Sequence, residues 1–240
     1  MIKATVASVV LAAILVTPGP ARADTHAVVE SSRVYMEQET KVTFEYWLAR
    51  DRSSRRTPAR ATITRDDLGV VWTIDLGGKT YTESRIGKPG AAPAPRRPDM
   101  RKLWLEFYEP DYDWTVKDTG RSETIGGFPC RVFDASGEAD FAEITARYWI
   151  CQAPETAAGR SFHDYSVGQY RGDGRMAALV RLLEDYPAGI CVFREETVEP
   201  SIAPKTRVRT GLTRLEEAAA PAGIYDIPDG FKKLENHGDN

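Results

Sequence analysis

The chain has 240 residues, 42% of them hydrophobic and 28% charged, a balance that suits one packed domain and excludes a disordered or fibrous chain. Its 32 basic residues face 35 acidic ones, a formal charge of −3, so net charge gives no reason to expect nucleic acid as a partner. Cysteines at 130, 151 and 191 match neither a C-x-x-C redox motif nor a zinc-ligand spacing.

The first residues carry a charge, an apolar run and a small-residue exit: Lys3, Val6 to Val16, the breakers Pro18 and Pro20, then Ala21-Arg22-Ala23. These are the regions of a secretory signal, and the apolar run is well short of the roughly 20 residues that cross a bilayer as a helix. The expectation is therefore a signal peptide over 1–23, cleavage before Asp24, and a periplasmic or secreted single domain over 24–240. Loss of Lys3 and Arg22 with the signal takes the formal charge from −3 to −5. No other stretch reaches transmembrane length, so no transmembrane segment is expected in the mature chain.

From Val42 to Leu48 the residues alternate, with Val42, Phe44, Tyr46 and Leu48 on one side, as in a half-buried strand. Arg50 to Pro58 breaks the pattern and reads as a basic loop. Ala59 to Arg65 resumes it around Ala61 and Ile63. Val70, Trp72, Ile74 and Leu76 alternate again, and Gly77-Gly78 then turns the chain into Lys79 to Glu83, a hairpin signal. Lys88 to Pro98 reads as a proline-rich loop, followed by a short helix carrying Met100, Leu103, Trp104 and Phe107. Further strands are expected around Trp114–Val116, Arg131–Phe133 and Ile144–Cys151, with turns at Gly126-Gly127 and Gly137. Met176, Leu179, Val180 and Leu183 share one face of a helix that Pro187 and Gly189 close. Ile190 to Val198, Lys205 to Leu215 and the short Ile224 to Pro228 segment complete the chain. The predicted fold is mainly β: one large curved antiparallel sheet, an unclosed barrel, with one or two helices in its concave face.

Four phrases carry a resemblance: Trp72-Thr73-Ile74-Asp75-Leu76-Gly77-Gly78-Lys79-Thr80-Tyr81-Thr82-Glu83, then Ile125-Gly126-Gly127-Phe128-Pro129-Cys130-Arg131-Val132-Phe133, then Tyr148-Trp149-Ile150, and last Ile224-Tyr225-Asp226-Ile227-Pro228-Asp229-Gly230-Phe231-Lys232. In this order, over roughly Val28 to Leu234, they resemble a family of uncharacterised exported bacterial proteins related in fold to the periplasmic lipoprotein carriers. The resemblance implies an open barrel with helices in its mouth and, in its best-known relatives, an apolar cavity that accepts acyl chains.

No catalytic or metal motif stands beside these phrases. His26, His163 and His237 do not form a ligand pattern, and no metal or other cofactor is expected. Ser161, His163 and Asp164 read as a polar loop rather than a triad, and Arg171-Gly172-Asp173 as the approach to a helix. Asp66 with Asp67, or Asp111 with Asp113, reads as solvated carboxylates. The basic residues Arg50, Arg52, Arg55, Arg56 and Arg60, with Arg96, Arg97, Arg101 and Lys102, read as solvated loops first, with a positive patch for anionic head groups as the alternative. Phe44, Tyr46, Leu48, Trp72 and Ile74, with Met176, Leu179, Val180 and Leu183, are the expected lining of an apolar ligand cavity. The leading expectation is a non-catalytic binder of a lipid or acyl chain; the alternatives are an envelope protein-interaction module and, more weakly, a hydrolase. Strand adjacency predicts a disulfide between Cys151 and Cys191, with Cys130 free.

Overall fold

A computed structural model describes residues 23–86, 112–139, 142–171, 173–186 and 189–235. The expected signal over 1–23, apart from Ala23, lies outside them. So do the Met100–Phe107 helix, Asp111, the basic cluster at 96–102, Gly172 and His237.

Strands dominate the described chain: β1 (Asp24–Tyr35), β2 (Gln38–Leu48), β3 (Arg52–Arg56), β4 (Arg60–Arg65), β5 (Val70–Asp75), β6 (Thr80–Arg85), β7 (Asp113–Ile125), β8 (Phe128–Ala139) and β9 (Ala142–Gln152). Two helices follow, α1 (Ala157–Tyr170) and α2 (Ala177–Asp185), and then β10 (Gly189–Pro200), β11 (Thr206–Ala218) and β12 (Lys232–Lys233). All twelve strands join one unclosed sheet in the order β12-β6-β5-β4-β3-β2-β1-β11-β10-β9-β8-β7. Neighbours are antiparallel except for β12, which lies parallel to β6. The mainly β open barrel with helices on its sheet is thus the architecture observed.

Turn chemistry closes the hairpins. Gly126 and Gly127, at φ 56° and 87°, form the β7–β8 turn, where a left-handed pair matches the twist of the flanking strands. The expected basic loop at Arg50–Pro58 instead contains β3. That strand is polar by composition, yet it pairs with β2 through Tyr46 opposite Arg55 and with β4 through Arg55 opposite Thr62. It buries Ser54 and arginine stems and has no apolar stripe.

α1 replaces the polar loop expected around Ser161–Asp164. Thr156 caps it by accepting from the Gly159 amide at 3.1 Å. Glu217 of β11 accepts from the Ala157 amide at 2.9 Å, which ties the helix start to the sheet. Gly159 is required there, since a Cβ would stand 2.3 Å from the Pro154 carbonyl oxygen. Phe162 and Tyr165 meet Tyr46 edge-on, with ring centroids 6.3 and 5.5 Å away.

Direct partners in a sheet share a face, so the register identifies two different surfaces. On the helical face, Met176, just before α2, and Leu179, Val180 and Leu183 of α2 are buried with Trp114, Phe133, Tyr148 and Ile150. On the opposite face, a row of Trp47, Ser54, Ile63 and Trp72 crosses β2 to β5. The irregular segment carrying Ile224 and Tyr225 packs against that row.

The disulfide joins Cys130 to Cys151, correcting the expected Cys151–Cys191 bridge. The β8–β9 hairpin pairs Ala139 with Ala142, so Cys130 stands directly opposite Cys151. A bulge between Cys191 and Phe193 leaves Cys191 opposite Ile150. Cys191 is the free thiol; burial pushes it up to about 12, which makes it a poor nucleophile.

Candidate functional site

The nine expected cavity residues do not converge. Phe44, Tyr46 and Leu48 pack with Phe162 and Tyr165 of α1. Trp72 and Ile74 lie on the other side of the sheet, because Tyr46, Arg55, Thr62 and Thr73 are successive partners and their odd–even alternation turns Trp72 away. Met176, Leu179, Val180 and Leu183 belong to a third cluster, packed with Trp114, Phe133 and Tyr148. The expected single apolar stripe is therefore corrected to three separate packing centres.

The structure places a cleft of about 1050 Å³ elsewhere, on the sheet face opposite the helices. Its floor follows one register row: Phe193 opposite Gly211, Gly211 opposite Glu30, and Glu30 opposite Thr43. Gly211 makes room for the Phe193 ring, whose nearest atom lies 3.2 Å from where a Cβ would be. Trp149 meets Phe193 edge-on at 5.1 Å and is held by its indole N–H donating to Glu123 at 2.9 Å. Ile125 and Phe128, flanking the two-glycine turn, bring a second apolar wall to the cleft. Ile125, Phe128 and Phe193 are only half-buried, so apolar surface remains available between them.

The rim is charged and internally paired. Arg209 reaches Glu195 at 3.0 Å, Lys41 reaches Glu39 at 3.4 Å, and Arg214 stands 3.8 Å from Glu216. The cleft is apolar at Phe193, Ile125 and Phe128 and polar at Glu30 and Thr43, with a solvated ionic margin.

The remaining candidates resolve simply. Ser161, His163 and Asp164 sit on α1, and His163 Nδ1 donates to the Gly189 carbonyl at 2.6 Å, which holds the helix to the start of β10. Among the described residues, no group of three His, Cys, Asp or Glu side chains could hold a metal ion. Arg55 and Arg56 are half-buried and directed into packing, Arg55 over the Phe44 ring at 4.4 Å and Arg56 to the Ile224 carbonyl at 2.8 Å. The Ile125–Phe133 phrase identified the β7–β8 turn in sequence, but nothing in the sequence indicated that Phe193 would line the same cleft as Phe128.

No family model matches the chain, and no curated protein matches it. Similar solved structures include a LolA superfamily protein from Nitrosomonas europaea, at 9% identity and TM-score 0.30 over 85% of this chain and 90% of that one. An outer membrane lipoprotein-sorting protein domain from Vibrio parahaemolyticus is similar at 7% identity and TM-score 0.32, over 84% of this chain and 89% of that one. PNGF-II is similar at 8% identity and TM-score 0.35 over 89% of this chain, which spans only 31% of PNGF-II. These are likenesses of fold.

Proposed function

We propose that the chain is a non-catalytic protein of the periplasm or exterior that holds an apolar chain, such as a lipid acyl chain, in the cleft opposite its helices. The observation that carries this reading is a cleft of about 1050 Å³ whose lining includes the half-buried Ile125, Phe128 and Phe193. Each methylene moved from water onto such a lining contributes about 0.8 kcal/mol, so ten would contribute roughly 8 kcal/mol before ordering costs. Compartment is supported by the signal-like N-terminus and by the Cys130–Cys151 bridge, which persists in oxidising surroundings.

Solvent extraction of the purified protein followed by mass spectrometry is expected to recover an acyl-bearing molecule. A fluorescent fatty acid is expected to bind the stripped protein, and Phe193→Asp to weaken it at least about tenfold by placing a charge on the apolar part of the floor. Protein that arrives empty and takes up no fatty acid refutes the reading.

A further inference from the structure

Two hairpin tips stand side by side at one end of the sheet. β1 lies between β2 and β11, and Tyr35 is the direct partner of both Gln38 and Thr206. The β1–β2 turn at Met36-Glu37 and the β10–β11 loop at 201–205 therefore project from the same end. These tips carry the two most exposed large hydrophobic side chains among the described residues, Ile202 at 82% and Met36 at 64%, with Tyr35 beside them at 39%.

Met36 is held there against local preference. A two-residue turn with both residues at positive φ favours Asn-Gly, yet this one holds Met36 at 48° and Glu37 at 66°, each with a Cβ. A strained backbone that presents an apolar side chain to water gives the isolated fold nothing in return, which points to a role in contact with something else.

Cations lie beside the tips. Along β11, Arg207 is opposite Val34, Arg209 opposite Ser32 and Gly211 opposite Glu30, so all three share the cleft face; Ser32 is in turn opposite Lys41. Lys41 and Arg209 line the cleft, and Ser32 between them is about 13 Å along the strand from Met36. Lys41 pairs with Glu39 and Arg209 with Glu195, whereas Arg207, exposed and nearer the tips, has no carboxylate partner among the described residues. Arg33, over the Tyr35 ring at 5.8 Å, is likewise exposed and unpaired with a carboxylate among them. Against these two cations, the turn itself contributes the one carboxylate of Glu37.

We infer that this end of the sheet docks on an anionic lipid bilayer, with Met36 and Ile202 entering between head groups and Arg33 and Arg207 meeting lipid phosphates. Two narrow turns bury far less than the roughly 800 Å² per partner of a stable protein interface, but apolar tips flanked by cations suit shallow insertion at a charged surface. The pose brings the Lys41 and Arg209 end of the cleft nearest the head groups. Docking stands whether or not the cleft holds a hydrocarbon, since vesicle binding and fatty acid binding are read separately.

Flotation of the full chain with phosphatidylcholine vesicles, with and without phosphatidylglycerol, tests this. Binding is expected to the phosphatidylglycerol vesicles and is expected to fall as salt screens it. Met36→Asp combined with Ile202→Asp is expected to weaken it at least about tenfold, and Arg207→Glu several-fold. Leu68→Asp, in the exposed β4–β5 turn at the opposite end of the sheet, is expected to change nothing. Met36→Asn, which suits positive φ better, is expected to keep or raise the melting temperature while weakening vesicle binding several-fold, so that docking and folding separate. Absence of binding to phosphatidylglycerol vesicles, equal binding to both kinds of vesicle, or binding indifferent to the double variant and to Met36→Asn overturns the inference.

Discussion

The two halves of the sheet are closed by different means. Over β7 to β10, α2 covers the strands with a stripe of fully apolar side chains, including Leu179 and Leu183, each at most 1% exposed. Over β3 to β6 the cover is an irregular segment that buries Ile224 and Tyr225 and is also held through its backbone and by charge. Arg56 donates to the Ile224 carbonyl at 2.8 Å, and Arg65 reaches the Tyr225 carbonyl at 3.4 Å and Asp226 at 3.1 Å. Arg52 lies over the Tyr225 ring at 4.8 Å, and the Tyr225 hydroxyl donates to Asp24 at 2.9 Å. A helix satisfies its own backbone and needs only apolar neighbours; a segment without regular structure must have its carbonyls met from outside. The arginines of β3 and β4 are therefore the structural counterpart of the leucines of α2.

The contrast can be broken most sharply at α2. Leu183→Ala is expected to cost about 2–5 kcal/mol in urea unfolding, the range for a buried leucine that leaves a cavity. A loss below about 1 kcal/mol means that the helix is not wedged against Tyr148 and Trp114. On the other half, Arg65→Gln is expected to cost about 1 kcal/mol, since it removes charge-assisted bonds from a rim that water partly screens. That difference is expected to shrink in high salt, whereas the Leu183→Ala cost is not.

The smallest expected effect concerns acid. The Arg65 hydrogen bond holds the Asp67 carboxyl below its usual range. A group depressed in the folded state contributes above its unfolded value, near 3.9, and the contribution disappears as pH falls through the lower folded value. Below about pH 4, hydrogen exchange at Asp226, whose amide donates to the Gly223 carbonyl, is expected to quicken before exchange in α2. Simultaneous loss in both places refutes a clamp that is set by charge.

Strand positions were legible wherever one face was apolar and the other polar, as at Val42–Leu48 and Val70–Leu76. β3 was not, because Arg52-Ser53-Ser54-Arg55-Arg56 has no apolar member and is stabilised by partners distant in sequence. α1 was obscured by Gly159 and Gly168 and by the polar Ser161–Asp164 stretch, although Phe162, Tyr165 and Ser166 already fall at helical spacing. The cavity was misplaced for a reason of parity. Alternation shows that two residues of one strand share a face, but which face of the next strand continues it depends on register. Tyr46 and Trp72 looked equivalent and came out on opposite sides. The same limit governed the cysteines, where a small shift in the hairpin centre and one bulge decided the pairing.

The place of β1 in the strand order bears on how the chain acquires its shape. β1 is the first strand among the described residues, yet it lies inside the sheet between β2 and β11, with Asp24 opposite Ala218. As the chain emerges from its N-terminus, β1 to β6 can zip up as successive hairpins, but the outer edge of β1 has no partner until nearly everything else has arrived. That edge includes Ala27, Val28 and Val29, an exposed pairing template during the wait. Contacts of such long sequence separation close slowly. The step that completes the fold is therefore late by construction, and a holdase that shields the N-terminal hairpins until β11 docks is expected to raise the yield of refolding more than any additive acting on the helices.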